Sequence, residues 1–384
     1  MANTHFVNIT TDETTIASDL TTPVVWLDLQ RAPAAFWTNL GGTDGGEIRV
    51  YNQAGNTQFP AYVLYINTVA QTGLVAARVD TMSASTATVY RVEFGDAALA
   101  AEADGAAYGR NNVFQDYEGA WNFTTIAGSA PEIEDMTGNG HDGTLDNNGA
   151  FAQDTSSAFW DRGVRLTSAT STGASVNLAI ATGLDGDATA LRTFTWAQVA
   201  FSIGSNNDVF GVSGTDRLRN NAGNYLLRIA STNYLGAVAG PTVGQQEVFS
   251  LLYNGSTDVA NLFRNGASID SDTGVTDPWP TGSWALMNAS QTATTANDAS
   301  WYVALWANAA RSDAERNAES DMMRDNAVNF WTWGTVTETA LEGYIVGTFS
   351  MDSAVAGAFD MSEAIDGELD LTEAVDGTFN IEPT

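Results

Sequence analysis

The sequence lacks cysteine and lysine altogether, and it contains only 2 His and 8 Pro in 384 residues. Without cysteine, the chain can form neither a disulfide framework nor a thiolate metal site. His5 and His141 are the only histidines, and no H-E-x-x-H, G-x-S-x-G or phosphate-binding glycine motif accompanies them. A catalytic triad centred on His141 stays open, but we predict no catalytic residues and a protein that is not an enzyme.

Positive charge is scarce, because all 15 basic residues are Arg and they face 46 acidic residues. The net charge of −31 argues against a nucleic-acid partner, since phosphates would be repelled. Dense carboxylates without lysine are typical of proteins adapted to strong salt, where the Debye length shrinks to about 3 Å at 1 M. A halophilic or marine source is therefore predicted, with arginine use imposed by a GC-rich genome as the alternative.

Long apolar runs are also missing, so no membrane insertion is expected. The first residues have neither a basic region nor an apolar stretch, which excludes a secretion signal of the usual kind. An exported protein without a signal needs another route. Virion assembly inside a host, followed by lysis, is one such route.

Short alternating runs bounded by Gly, Asn, Asp and Ser dominate the chain, which is typical of β-sandwiches. After an N-terminal arm over residues 1–19, we predict a small antiparallel β-sandwich domain over residues 20–118. The segments GGEIRVYNQAGNTQFPAYV and GLVAARVDTMSASTATVYRVEFGD carry the pattern. They resemble an uncharacterised β-domain family that precedes laminin-G-like domains in secreted, cell-surface and viral proteins.

A glycine-rich loop follows the strand that contains Trp121 and reads D-x-T-G-N-G-x-D-G-T. Its glycines permit turns with positive φ, and its Asp and Asn side chains can bond the local backbone. We interpret it as a structural turn, with a metal or sugar site as the alternative. The motif residues are Asp135, Thr137, Gly138, Gly140, Asp142 and Gly143.

The strand and loop resemble the opening of laminin-G-like, concanavalin-A-like jelly rolls. Later segments match that family in order: a buried strand near Trp196, a hairpin over residues 247–267, and a strand over residues 301–306. A helix then begins at a capping box formed by Ser312 and Glu315. The resemblance implies an all-β jelly-roll domain over residues 119–334 with one late helix.

Two loops contain candidate ligand residues. Trp279 lies between two prolines and cannot sit in a central strand, so an exposed Trp279 beside Asp277 could stack on a sugar ring. The alternative is a hydrophobic plug over one end of the sandwich. Asp185 and Asp187 form a weaker candidate Ca²⁺ site, because hard cations prefer clustered oxygen ligands.

The C-terminal segment, residues 335–384, contains a ten-residue repeat. Its glycines are Gly347, Gly357, Gly367 and Gly377. Apolar residues alternate with polar ones after each glycine, which predicts one apolar strand face per repeat. So short an array cannot bury those faces alone. It is therefore expected to drive homo-oligomerisation, with a trimer favoured, or to anchor the protein to other virion proteins.

Together these patterns predict a structural protein on the virion surface of a tailed virus, as a capsid spike, decoration or tail fibre. Its lectin-like domain would attach to a host cell-surface glycan or glycoprotein. One alternative is a cellular surface or secreted carbohydrate-binding protein. Another is a polysaccharide-degrading enzyme, which would need paired carboxylates on a strand, whereas Glu132, Glu134 and Asp135 are expected in a loop.

Overall fold

The computed structural model describes residues 3–146, 151–155, 162–166, 175–178, 191–201, 207–213, 216–221, 224–236, 238–287 and 299–339. The chain divides after Ala340, and every described residue belongs to the compact unit Met1–Ala340. Predictions for two groups of residues therefore lie outside the described part. These residues are Asp185, Asp187, Gly347, Gly357, Gly367 and Gly377.

The described chain is nearly all β, which confirms the predicted fold class. Its first nine strands are β1 His5–Thr11, β2 Leu20–Thr21, β3 Val24–Asp28, β4 Arg49–Asn52, β5 Gln58–Phe59, β6 Ala61–Asn67, β7 Thr72–Arg78, β8 Thr81–Met82 and β9 Val89–Phe94. The next nine are β10 Gly119–Asn122, β11 Glu134–Asp135, β12 Gly143–Asp146, β13 Phe151–Asp154, β14 Gly163–Leu166, β15 Ser175–Leu178, β16 Leu191–Ala200, β17 Asn207–Ser213 and β18 Asp216–Asn221. The last nine are β19 Asn224–Ile229, β20 Thr232–Asn233, β21 Val238–Ala239, β22 Gln246–Asn254, β23 Val259–Arg264, β24 Ala267–Asp272, β25 Ala285–Leu286, β26 Ala299–Ala307 and β27 Trp331–Glu338.

Helices are few and short. They are α1 Ala34–Asn39, α2 Arg110–Val113, α3 Asp313–Met323 and α4 Asp325–Val328, with 3₁₀ turns at Glu13–Thr15 and Leu29–Arg31. The longest is the predicted late helix, and its capping box is present. The Ser312 side chain accepts from the Glu315 backbone N–H, and the Glu315 side chain accepts from the Ser312 backbone N–H. No helix in the described part of the chain is long and apolar enough to cross a bilayer.

The predicted small sandwich contains a five-stranded sheet in the order β27-β1-β9-β4-β5 and a three-stranded sheet in the order β3-β7-β6. Their formation confirms strands expected from the alternating sequence. The prediction of a separate N-terminal arm over residues 1–19 is wrong. Strand β1 lies between β9 and β27, and its Val7 and Ile9 side chains are buried. The predicted domain boundary after residue 334 falls inside β27, and β27 belongs to the five-stranded sheet of the small sandwich.

The jelly-roll region consists of two larger antiparallel sheets. The nine-stranded sheet follows the order β11-β10-β26-β16-β22-β23-β24, with β13 and β14 joined to it through β26. The eight-stranded sheet follows the order β12-β15-β25-β17-β18-β19-β20, with β21 beside β19. Large aromatic side chains from both sheets, such as Trp196 and Phe210, meet in the core between them.

The central strands of the nine-stranded sheet, β10, β26, β16 and β22, are largely buried on both faces. On β26, Trp301 and Trp306 point into the core shared with the eight-stranded sheet. Leu305 and Ala307 instead belong to the core shared with the small sandwich and α3. All nine residues of β26 are buried as a result. The small sandwich therefore acts as a second cover for the jelly-roll region.

Candidate functional site

The glycine-rich loop connects the two large sheets. It leaves the nine-stranded sheet after β11, which pairs with β10, and enters the eight-stranded sheet at β12. Gly138 and Gly140 adopt φ angles of 82° and 81°, which side chains with a Cβ rarely tolerate. A Cβ on Gly138 would also lie 2.6 Å from the Asn111 side chain. The glycines are thus required for the chain path.

Asp135 organises this loop from its centre. One carboxylate oxygen accepts from the backbone N–H groups of Ala120 and Thr137, both at 3.1 Å. The other accepts from the backbone N–H of His141 at 3.0 Å, and the Thr137 hydroxyl donates to the same carboxylate. These bonds hold the loop in one conformation. In the described residues, no cluster of three or more His, Asp or Glu side chains could hold a metal ion.

Both histidines occupy defined positions. His141 is buried, and its Nε2 lies 3.1 Å from the Glu118 carboxylate, while its backbone carbonyl accepts from the Trp121 indole at 2.7 Å. Among the described residues, no serine hydroxyl is hydrogen bonded to its ring. His5, expected in a floppy terminus, lies in β1 and stacks on Phe94.

An open cleft of about 460 Å³ lies beside the loop. We call it the seam cleft, because the small sandwich and the jelly-roll region both line or support it. The side chains on its walls include Arg110, Asn122, Glu132, Glu134, Asp135 and Asp142. The carboxylates come from β11 and from the loops before and after it. In contrast to the expected loop, Glu134 and Asp135 form β11 itself.

Contacts across the seam fix one wall of this cleft. Glu134 forms an ion pair with Arg110 and accepts from the Tyr62 hydroxyl at 3.0 Å, and Arg110 also binds Asp104 at 2.9 Å. Burial and then the Glu134 carboxylate raise the pKa of Tyr62 to about 12, so its hydroxyl stays protonated near neutral pH. Glu134 is therefore already engaged by a cation and a hydroxyl.

Glu132 and Asp142 provide hydrogen-bond acceptors in the seam cleft. Glu132 is buried and accepts from the Leu145 backbone N–H through Oε2 at 3.0 Å. Asp142 accepts from the Asp135 backbone N–H through Oδ1 at 2.8 Å. Within the described part of the chain, Glu132 Oε1 and Asp142 Oδ2 make no hydrogen bond. Two carboxylates are thus held in place with one oxygen each unengaged.

Trp279 does not occupy the exposed position that the sequence suggests. It is only 2% exposed and packs between Tyr253, Trp284 and Trp306, with ring centroids 4.9–5.5 Å apart. The flanking prolines do exclude it from a strand, but the loop folds inward over the aromatic core. The ring is not available to stack on a sugar, and the alternative of a hydrophobic plug describes its position.

Asp277 also contributes to this plug. Its carboxylate accepts from the Tyr234 hydroxyl at 2.6 Å, and its backbone carbonyl accepts from the Tyr253 hydroxyl at 2.9 Å. Asp277 therefore holds this loop against Tyr234 and Tyr253 and is not free beside an exposed tryptophan. Sequence patterns did not single out Arg110 or Tyr62 for the seam cleft, because no local signal brings α2 and β6 to the glycine-rich loop.

Comparison with known proteins returned structural matches only. No family model matches the chain, and no curated protein matches it. The chain spans about half the length of the first solved structures that it matches.

Three solved structures illustrate the matches. The binding domain of Paraclostridial Mosquitocidal Protein 1 has a TM-score of 0.41 and 11% identity, over 52% of this chain and 52% of that chain. Domain 4 of AbnA, a GH43 extracellular arabinanase from Geobacillus stearothermophilus, in complex with arabinotriose, has a TM-score of 0.40 and 14% identity, over 52% and 98%. Trypanosoma rangeli sialidase has a TM-score of 0.42 and 11% identity, over 71% and 44%.

Proposed function

We propose that the chain is a non-catalytic recognition protein that binds a neutral saccharide in the seam cleft. The observation that carries this proposal is the pair of anchored carboxylates, Glu132 and Asp142. Each uses one oxygen to bond the backbone, and each keeps the other oxygen unengaged among the described residues. Sugar hydroxyls are hydrogen-bond donors that such fixed acceptors can bind without reorganisation.

The size and charge of the cleft support a neutral, hydroxyl-rich ligand. Its volume of about 460 Å³ falls within the range of roughly 300–1,000 Å³ that is usual for small-molecule sites. An anionic ligand would meet several carboxylates against one guanidinium group, from Arg110. The laminin-G-like resemblance adds a scaffold that is used for glycan or protein recognition, although a fold alone does not establish a function.

The test is a titration of the full chain with a panel of neutral oligosaccharides, followed by NMR. Glu132→Gln and Asp142→Asn keep the oxygen that accepts from the backbone but replace the unengaged acceptor oxygen with an NH2 donor. We expect each to lower the affinity by about tenfold, which corresponds to roughly 1.4 kcal/mol. Asp272→Asn is the matched control, because β24 lies at the opposite edge of the nine-stranded sheet from β11.

Three results would decide against this proposal. Binding by none of the saccharides would remove recognition at the seam cleft. Equal loss in the Asp272→Asn control would show an effect of net charge rather than of the site. Release of shorter sugars during the titration would show a glycosidase and overturn the non-catalytic assignment.

We also propose a setting for this recognition, namely the surface of a virion from a tailed virus of a halophilic or marine host. The support comes from the acid excess without lysine, from the resemblance to a β-domain family that occurs in viral as well as secreted and cell-surface proteins, and from the C-terminal repeats. Many copies would compensate for a weak single site. A cellular surface or secreted carbohydrate-binding protein is the alternative setting.

The oligomer can be tested by light scattering. Residues 341–384, which contain the repeats, are proposed to assemble the chain, so the full protein is expected to have the mass of a trimer. A chain that ends at residue 340, where the first compact unit ends, is expected to be a monomer. Equal masses for the two chains would refute an assembly role for the repeats.

A further inference from the structure

Three arginines lie together on the outer face of the eight-stranded sheet. In β18 and β19, Leu218, Tyr225, Leu227 and Ile229 point into the core. Side chains alternate along a strand, so Arg217, Arg219, Leu226 and Arg228 occupy the opposite face. We call Arg217, Arg219 and Arg228 the arginine patch.

The strand register brings these charges close together. Arg217 lies directly opposite Arg228, and Arg219 lies opposite Leu226 on the same face. Like charges at directly opposed positions of an antiparallel pair destabilise the sheet. This arrangement therefore has a cost in folding free energy that a purely structural face would avoid.

Asp208 partly compensates the patch from the neighbouring strand β17. It is fully buried and accepts from Arg217 Nη1 at 2.8 Å, and its second oxygen lies 3.9 Å from Arg219 Nε. Burial lowers the pKa of Arg219, the positive charges of Arg217 and Arg228 lower it as well, and Asp208 raises it. The guanidinium groups of Arg217 and Arg228 thus act on the pKa of Arg219 in the opposite sense to the Asp208 carboxylate.

Positive charge is scarce in this chain, so three arginines on neighbouring positions of one sheet face are unusual. The chain contains 15 Arg against 46 acidic residues, yet three of those Arg lie on two adjacent strands. The side chains of Arg217 and Arg219 remain 13% and 14% exposed. Local positive potential on a strongly negative protein attracts anions over a short range, mainly at high ionic strength, where repulsion from distant carboxylates is screened.

We propose that the arginine patch binds a single oxyanion, either the carboxylate or the sulfate group of a small ligand such as an acidic sugar unit. The planar guanidinium group matches these anions with paired hydrogen bonds. A polyanion is not the ligand, because the net charge of −31 would repel it. Leu226, beside Arg219, offers an apolar contact for the rest of a sugar ring.

The experiment titrates the full chain with methyl glucuronide, methyl glucoside and inorganic sulfate, at constant ionic strength, and follows arginine side-chain NMR signals. We expect methyl glucuronide and sulfate to bind and the neutral methyl glucoside to leave the patch signals unchanged. Tighter binding of methyl glucuronide than of sulfate would assign the site to acidic sugars. Equal binding would assign it to free oxyanions, and both results support an oxyanion site.

Arg228→Gln is the test variant, because Arg228 makes no ion pair with the buried Asp208 among the described contacts. We expect it to weaken anion binding by about tenfold, whereas Arg228→Lys, which keeps the charge, is expected to retain part of the affinity. Arg91→Gln is the control, since Arg91 lies in the five-stranded sheet against Phe6 and Glu93.

The proposal fails if neither anion binds, if Arg228→Gln binds as tightly as the wild type, or if Arg91→Gln causes the same loss. Thermal melting of each variant verifies that the fold is kept. Neutral oligosaccharides in the seam cleft provide a separate reading, because Arg228→Gln is not expected to change their binding. Failure of the arginine patch is thereby distinguished from failure of the seam cleft.

Discussion

The two large sheets of the jelly-roll region differ in how their strands are covered. In the nine-stranded sheet, β26 reads ASWYVALWA and is buried at every residue. In the eight-stranded sheet, β19 reads NYLLRI and alternates between partly exposed and buried residues. The difference arises because the small sandwich and α3 cover the outer face of the first sheet. A continuous apolar run in an antiparallel sheet therefore indicates cover on both sides.

This contrast also explains where function can lie. The outer face of the central strands of the nine-stranded sheet is buried under the small sandwich, so that part of the sheet is closed to ligands. The seam cleft lies where the cover meets the glycine-rich loop, and the arginine patch lies on the outer face of the other sheet.

Removing the cover is expected to have the largest effect. A fragment of residues 119–334, without the small sandwich, would expose apolar side chains such as Val199, Val248 and Leu305 to water. We expect this fragment to aggregate or to bind a hydrophobic dye such as ANS, in contrast to the full chain. A soluble, cooperatively melting fragment would show that the two regions are independent domains, as the sequence suggests.

A matched pair of substitutions sharpens the comparison. Leu305→Gln on β26 would bury an amide in the core shared with the small sandwich, and Leu226→Gln on β19 would place one on a partly exposed face. We expect a loss of about 3 kcal/mol or more in the free energy of unfolding for the first. The second is expected to change it by about 0.5 kcal/mol or less. Denaturant unfolding of both variants is the measurement, and similar losses would contradict two-sided cover.

The buried carboxyl group of Asp28, at the end of β3 in the small sandwich, is expected to make the free energy of unfolding depend on pH. Asp28 is 1% exposed and has one carboxylate oxygen without a hydrogen bond, and the buried Asp325 nearby is paired with Arg31 at 2.8 Å. Burial above all, together with the Asp325 charge, raises the pKa of Asp28 to about 7, against the lowering effects of the Gln30 N–H and Arg31. The folded state therefore keeps a proton that the unfolded chain releases at lower pH.

Because the folded-state pKa of Asp28 is raised, its stabilising contribution is present in acid and is lost as the pH rises towards 7. Asp28→Asn removes this titration, and the amide oxygen can still accept from Gln30. Relative to the wild type, we expect the variant to gain up to about 1.4 kcal/mol per pH unit between about pH 4 and pH 7. Urea unfolding across this range is the measurement, with Asp272→Asn as the control. Parallel curves for wild type and Asp28→Asn would refute the effect.

Local sequence patterns predicted much of the fold but less of the candidate site. The alternation in GLVAARVDTMSASTATVYRVEFGD predicted strands, and Ser312 with Glu315 predicted the helix start, because these features depend on near neighbours. Pro278 and Pro280 likewise excluded Trp279 from a strand. The exposure of Trp279 could not be read in the same way, because it depends on Tyr253, Trp284 and Trp306 folding around it.

By itself, the sequence determined the all-β class, the strongly negative net charge and the loop path that needs Gly138 and Gly140, because composition, strand period and backbone sterics act locally. Only the tertiary structure decided that β1 pairs with β27, that β26 is covered on both faces, and that Arg110 and Tyr62 reach Glu134. Those contacts join residues far apart along the chain. No local preference encodes them, because they result from burying apolar faces that several partners could have covered.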